Sequence, residues 1–194
     1  MKNKGDFSRC YNYVVDLWDI CVTTSQFKRL TQDLLDDIAQ KARSSPRLRQ
    51  NYNFHELGEK VQRFINVLQP GTYVRPHRHC RNSGVNGFEF FLVLQGELGM
   101  IIMDENGEIL NQERVGMSSG TRGVELAEGT YHTLVALTPD TIVLELKEGP
   151  YDPTTDKEFL ENFPAEGTVA ARQLVTTWQS YFTDSIADGD RSMV

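Results

Sequence analysis

His77 and His79 stand two residues apart in a segment of extended character, Glu89 opens the next strand-like run, and His132 lies in a third, LAEGTYHTLVAL. Residues two apart on a strand project from one face, so the first two imidazoles can reach a single metal ion. Three neutral imidazoles and a carboxylate form a mixed nitrogen and oxygen donor set. Such a set suits one divalent transition metal ion (iron, manganese, nickel, cobalt, copper or zinc) and leaves coordination positions open. The chemistry on offer is Lewis-acid activation of a carbonyl or hydroxyl oxygen, or oxygen chemistry at iron. A bare His-x-His is weak evidence by itself, because histidine pairs also occur on surfaces and as hydrogen-bonded core residues.

Other candidates surround this set. Counting by two from His77 puts Tyr73 and Arg75 on the histidine face. The Arg75 fork would hold a substrate carboxylate, phosphate or hydroxyl, and Tyr73 would move a proton. A rim ion pair for Arg75 is an equally good reading. His55, with Asn51 and Asn53 in RLRQNYNFHE, is either a hydrogen-bonded structural residue or an acid/base group at a pocket mouth, with Asn53 binding substrate. In TIVLELKEGPYDP, Glu145 and Lys147 alternate with Leu144 and Leu146. Half-polar strands usually face water; the inward alternative would add Lys147 to Arg75 as an anion-binding group. Tyr151 is a candidate for the pocket rim.

The spacing Gly71, five residues, His77, one residue, His79, Glu89, six residues, Gly96 resembles the first motif of the cupin superfamily, and Gly129-Thr130-Tyr131-His132 resembles the core of the second. Nine residues, Cys80 to Phe88, intervene between His79 and Glu89 where cupins usually have three or four. Ala127 and Ala136 stand where the second motif usually has proline and asparagine. The stretches Ala42 to Glu56, Val61 to His79, Glu128 to Thr133 and Glu145 to Phe159 further resemble the WbuC family, associated with surface-polysaccharide gene clusters. That resemblance implies a metal-binding jelly-roll barrel, a link to sugar chemistry and a homodimer; it implies no particular reaction.

The elements that must position these residues are legible in outline. Thr31 is a helix N-cap ahead of Leu34, Leu35, Ile38 and Ala42 at helical spacing, and Ser45-Pro46 ends the run. Strands are expected over Val61 to Leu68, from Thr72 through His79, Phe88 to Leu94, Leu98 to Met103, Ile109 to Val115, Val124 to Leu126, Tyr131 to Leu137 and about Ile142 to Lys147. A tail with Ala171, Leu174, Val175, Trp178 and Phe182 reads as a covering helix. The expected organisation is an N-terminal extension at 1–25, a helical segment at 26–50, a mostly β cupin barrel (a double-stranded jelly roll) at 51–167 and a helical tail at 168–194.

Composition narrows the function classes. The 194 residues carry a net charge of -7, which argues against nucleic acid or an anionic membrane as partner. Three cysteines without a Cys-x-x-Cys spacing and no run of membrane-spanning length point to a cytoplasmic protein. The reading is therefore a metal-binding cupin acting as an isomerase, epimerase or lyase on a small polar or sugar-derived substrate. A non-catalytic saccharide-binding module and an iron-dependent dioxygenase are the alternatives.

Overall fold

Helix α1 (Gln32–Ser44) begins where the sequence supplies its cap: the Thr31 side chain accepts the Leu34 N–H, and Lys41 and Arg43 lie in the last turn, where the helix dipole favours cations. The computed structural model describes residues 27–81, 87–151 and 156–183. The extension at 1–25, residues 82–86 before Glu89, residues 152–155 and the last residues of the tail lie outside the described residues. Replacing Thr31 by alanine leaves a helix N–H without its partner and is expected to lower stability by about 1 kcal/mol, read from the urea midpoint.

Ten strands follow: β1 (Arg49–Asn53), β2 (Val61–Leu68), β3 (His77–Arg78), β4 (Glu89–Gln95), β5 (Glu97–Met103), β6 (Ile109–Gly116), β7 (Gly123–Leu126), β8 (Tyr131–Ala136), β9 (Thr141–Glu148) and β10 (Glu158–Phe159). They form two five-stranded sheets, ordered β1-β2-β9-β4-β7 and β10-β3-β8-β5-β6, and every pairing between strands is antiparallel. From β3 onward the chain crosses repeatedly between the sheets. The fold is a jelly-roll barrel of two antiparallel sheets. Its inter-sheet core holds Leu68, Phe91, Val93, Leu98, Met100 and Leu134 among others.

Each sheet is covered on its outer face by a helix. Ile38, Ala39 and Ala42 of α1 pack with Ile65, Val67 and Ile142 of the first sheet. Ala171, Val175 and Trp178 of α2 (Val169–Ser180) pack with Ile101, Val135 and Tyr131 of the second. Gly99 in β5 makes this docking close: a Cβ there would stand 2.5 Å from the Phe182 ring.

Two sequence expectations change. Arg49–Asn53 is a strand despite its asparagine-rich composition, because as an edge strand it pairs along β2 from Arg49 opposite Leu68 to Asn53 opposite Phe64. The barrel thus begins at Arg49. The strand expected from Thr72 is absent until His77, and Pro76, which has no N–H to give a ladder, sits at the break.

Candidate metal centre

Strand register gathers the four candidate ligands. His77 in β3 pairs directly with His132 in β8, which sets their rings 4.6 Å apart. The His79 ring lies 5.0 Å from that of His77. Gly129, at a φ of 78° that favours glycine, turns the chain into β8 and donates its N–H to the His79 carbonyl at 2.9 Å, joining the two motifs. Glu89 opens β4 in the opposite sheet and reaches across: its Oε1 is 3.1 Å from His79 Nε2, and its Oε2 is 3.4 Å from His132 Nε2. All four side chains are buried.

The ring orientations are fixed from behind. His77 Nδ1 lies 2.9 Å from the Arg75 carbonyl and His132 Nδ1 3.0 Å from the Thr130 carbonyl, so these protons are assigned to Nδ1 and the Nε2 lone pairs face inward. His79 Nδ1 lies 3.3 Å from Asp156 Oδ2, within ion-pair range but without hydrogen-bond alignment. Asp156 carries the same logic outward, accepting Lys147 Nζ at 2.9 Å and Arg81 at 2.7 Å.

Electrostatics keeps the imidazoles neutral. Burial pushes His79 and His132 down to about 4 and His77 well below its ordinary value. Neutral Nε2 atoms therefore face carboxylate oxygens, acceptor against acceptor, and Glu89 Oε1 has no hydrogen-bond partner. Such contacts call for a cation or proton between them. Two donors about 2.1 Å from one ion, at about 90–109°, stand roughly 3.0–3.4 Å from each other, which matches the two observed separations. Among the described residues no group of three or more histidine, cysteine or acidic side chains meets the spacing of a complete metal cage. The donor chemistry nevertheless fits a divalent ion.

A second carboxylate, Glu145 of β9, lies beside the first. Its Oε2 accepts Asn66 Nδ2 at 2.7 Å, and burial followed by repulsion from Glu89 raises its pKa; burial likewise raises Glu89. A raised carboxyl contributes stability that is fully present below its unfolded value and lost as pH rises through its folded value. The histidines have the opposite sign: their contribution is lost as pH falls from about 6.5 toward about 4. Above pH 6.5 the histidines are neutral in both states and the carboxyl pair acts. The metal-free protein should thus show a melting temperature that falls as pH rises above 6.5, with a shallower fall in Glu145→Gln; equal slopes would contradict the assignment.

The four side chains stand at one end of a cavity of about 580 Å³ between the sheets. Asn53, His55, Lys147 and Tyr151 line it, as do Gln62, Phe64, Asn66, Asp156 and Lys157. The expected solvent-facing placement of Lys147 is corrected: it is buried, held by Asp156, and 5.7 Å from both the Phe64 and Tyr151 ring centres. Gly149 brings Tyr151 to the wall, since a Cβ at Gly149 would stand 2.2 Å from the Glu59 carbonyl oxygen. His55 has Nδ1 2.9 Å from both the N and the O of Arg63, so that atom is committed to the backbone.

Tyr73 and Arg75 are corrected as well. Tyr73 donates to the Pro164 carbonyl at 2.9 Å and stacks on Trp178 beneath α2, while Arg75 donates to the Leu160 carbonyl and lies over Phe159. Val74, between them, lines the cavity instead. The alternation reverses at Pro76, where there is no strand, so counting back from His77 assigns the wrong face. Asp156 and Lys157 were missed. Their only sequence signal was their place within Glu145 to Phe159, a stretch without a period that would reach them.

Residues 30–115 match a domain of unknown function, DUF6016. No curated protein matches the sequence. Among solved structures, the chain is similar to KdgF from a Halomonas species, with 21% identity over 57% of this chain and 86% of that one at a TM-score of 0.43. It is also similar to the capsular polysaccharide assembling protein CapF of Staphylococcus aureus (23%, 60% and 33%, TM-score 0.49) and oxalate decarboxylase of Bacillus subtilis (19%, 58% and 27%, TM-score 0.44). The match thus spans a third or less of these last two proteins. No helix among the described residues is long and apolar enough to cross a membrane.

Proposed function

We propose that the protein is a metal-dependent enzyme acting on a small polar substrate, with His77, His79, Glu89 and His132 as the metal-holding residues. The observation that carries this reading is the pair of acceptor-to-acceptor contacts between Glu89 and the inward Nε2 atoms of His79 and His132, 3.1 and 3.4 Å. A bound divalent ion would supply Lewis acidity to a carbonyl or hydroxyl oxygen, as isomerisation, epimerisation or elimination requires.

The chain supplies the rest. Backbone carbonyls of Arg75 and Thr130 hold two imidazoles in the ligating tautomer. Phe91, Leu134 and Val74 form an apolar wall that excludes water and strengthens polar contacts within. His55, anchored through Nδ1, keeps Nε2 for exchanging a substrate proton. The WbuC-like stretches support a sugar-derived substrate from surface-polysaccharide metabolism. Elemental analysis of protein purified without chelator should find about one divalent transition metal ion per chain; a protein that stays metal-free even after reconstitution would sink this reading.

A further inference from the structure

The cavity beside the candidate ligands has an uneven charge inventory. Three carboxyl groups, Glu89, Glu145 and Asp156, and four cationic ones, Lys147, Lys157, Arg47 and Arg49, line it, with both arginines paired to Glu166. A divalent ion among the ligands would make that lining more positive still, and Arg81 behind Asp156 adds to it. Lys147 is already held by Asp156. Lys157 is different: among the described residues no carboxylate lies within ion-pair distance of it. Lys157 is exposed at the cavity wall, and its charge acts on Glu145, Glu89, Asp156 and all three ligand histidines.

A second group in the cavity also lacks a partner. Gln62 of β2 is 1% exposed, lines the same cavity, and its Nε2 has no hydrogen-bond acceptor. A buried amide donor left unpaired is costly, and a ligand acceptor would relieve it. Asn66, Asn53 and Tyr151 extend the polar lining, while the Phe64 and Tyr151 rings supply faces against which a carbon skeleton can lie.

We infer that the substrate is a small polyhydroxylated carboxylate whose anionic group is received by Lys157, with Gln62 donating to one of its oxygens. This deepens the metal-dependent reading and rests on it, because the divalent charge would add to the cationic lining that receives the anion. A phosphate fits less well, since phosphate recognition usually gathers several donors or an arginine fork, and the two arginines on the wall are already held by Glu166, which leaves one ammonium and one amide to match a carboxylate.

The test uses gluconate and sorbitol, which share a six-carbon hydroxylated chain and differ in the carboxylate. Titration calorimetry on the metal-loaded protein should show gluconate binding at least about tenfold more tightly than sorbitol, the scale of one charge-assisted hydrogen bond. Lys157→Gln should bring the two within about twofold, and Gln62→Leu should weaken gluconate binding. Elemental analysis of each preparation keeps the two ideas separable. A metal-free wild type would overturn the metal reading, whereas a metal-loaded wild type that binds both ligands equally, or neither, would overturn the carboxylate inference alone. The inference also fails if Lys157→Gln keeps the preference with its metal intact, or if inorganic phosphate binds the wild type more tightly than gluconate.

Discussion

The His132→Ala variant should retain less than about a tenth of the metal found in the wild-type protein, since loss even of groups that merely orient ligands typically costs 10–100-fold in affinity. His132 is 1% exposed and central to the set, with its ring 4.6 Å from that of His77 and Nε2 facing Glu89. The substitution removes a donor and leaves an apolar gap beside Phe91, whose ring lies 5.8 Å away. Circular dichroism should retain the β signature, because the β8 ladder is formed by backbone groups. His132→Gln fills more of the gap and supplies a poorer donor, so it should be better folded and still metal-poor. Stoichiometric metal in both variants would show that the ion sits elsewhere.

Trp178→Ala should cost about 3–5 kcal/mol of stability, the range for removing a large buried aromatic side chain. Trp178 is 2% exposed, stacks on Tyr73 with ring centres 5.8 Å apart, and lies 6.1 Å from Phe163. It thus joins α2 to the segment leading into β3 and to the chain following β10. The expected measurement is a large drop in the urea midpoint. Because Tyr73 and Trp178 lie on the face of the second sheet away from the ligands, folded Trp178→Ala should keep its metal. A cost below about 1 kcal/mol would mean that α2 contributes little to the barrel.

The same indole explains why Tyr73 is unsuited to proton transfer. Its hydroxyl already donates to Pro164, and burial pushes its pKa up to about 12. A tyrosine so placed is packing, and substitution there should act on stability rather than on turnover.

The sequence alone determined the cap of α1, most of the strands and the choice of the four candidate ligands. Those features depend on local rules: Thr31 caps because its side chain reaches the Leu34 N–H, and the strands announce themselves by alternation. Glu89 was legible by its place at the start of a strand, and the longer approach to it through residues 80–88 did not change that register, since Glu89 pairs opposite Leu126 and Lys147. Tertiary structure decided which side of each strand faces the cavity. Pro76 breaks the ladder and reverses the alternation, which sent Tyr73 and Arg75 outward. Lys147 and Glu145 point inward against the usual rule for half-polar strands, because Asp156 and Asn66 meet them there. Asp156 and Lys157 reach the ligands by the pairing of β10 with β3, which sets Phe159 opposite His77. Pairing between segments some 80 residues apart is fixed by closing the barrel, and a charged pair outside any long strand carries no period from which to read it.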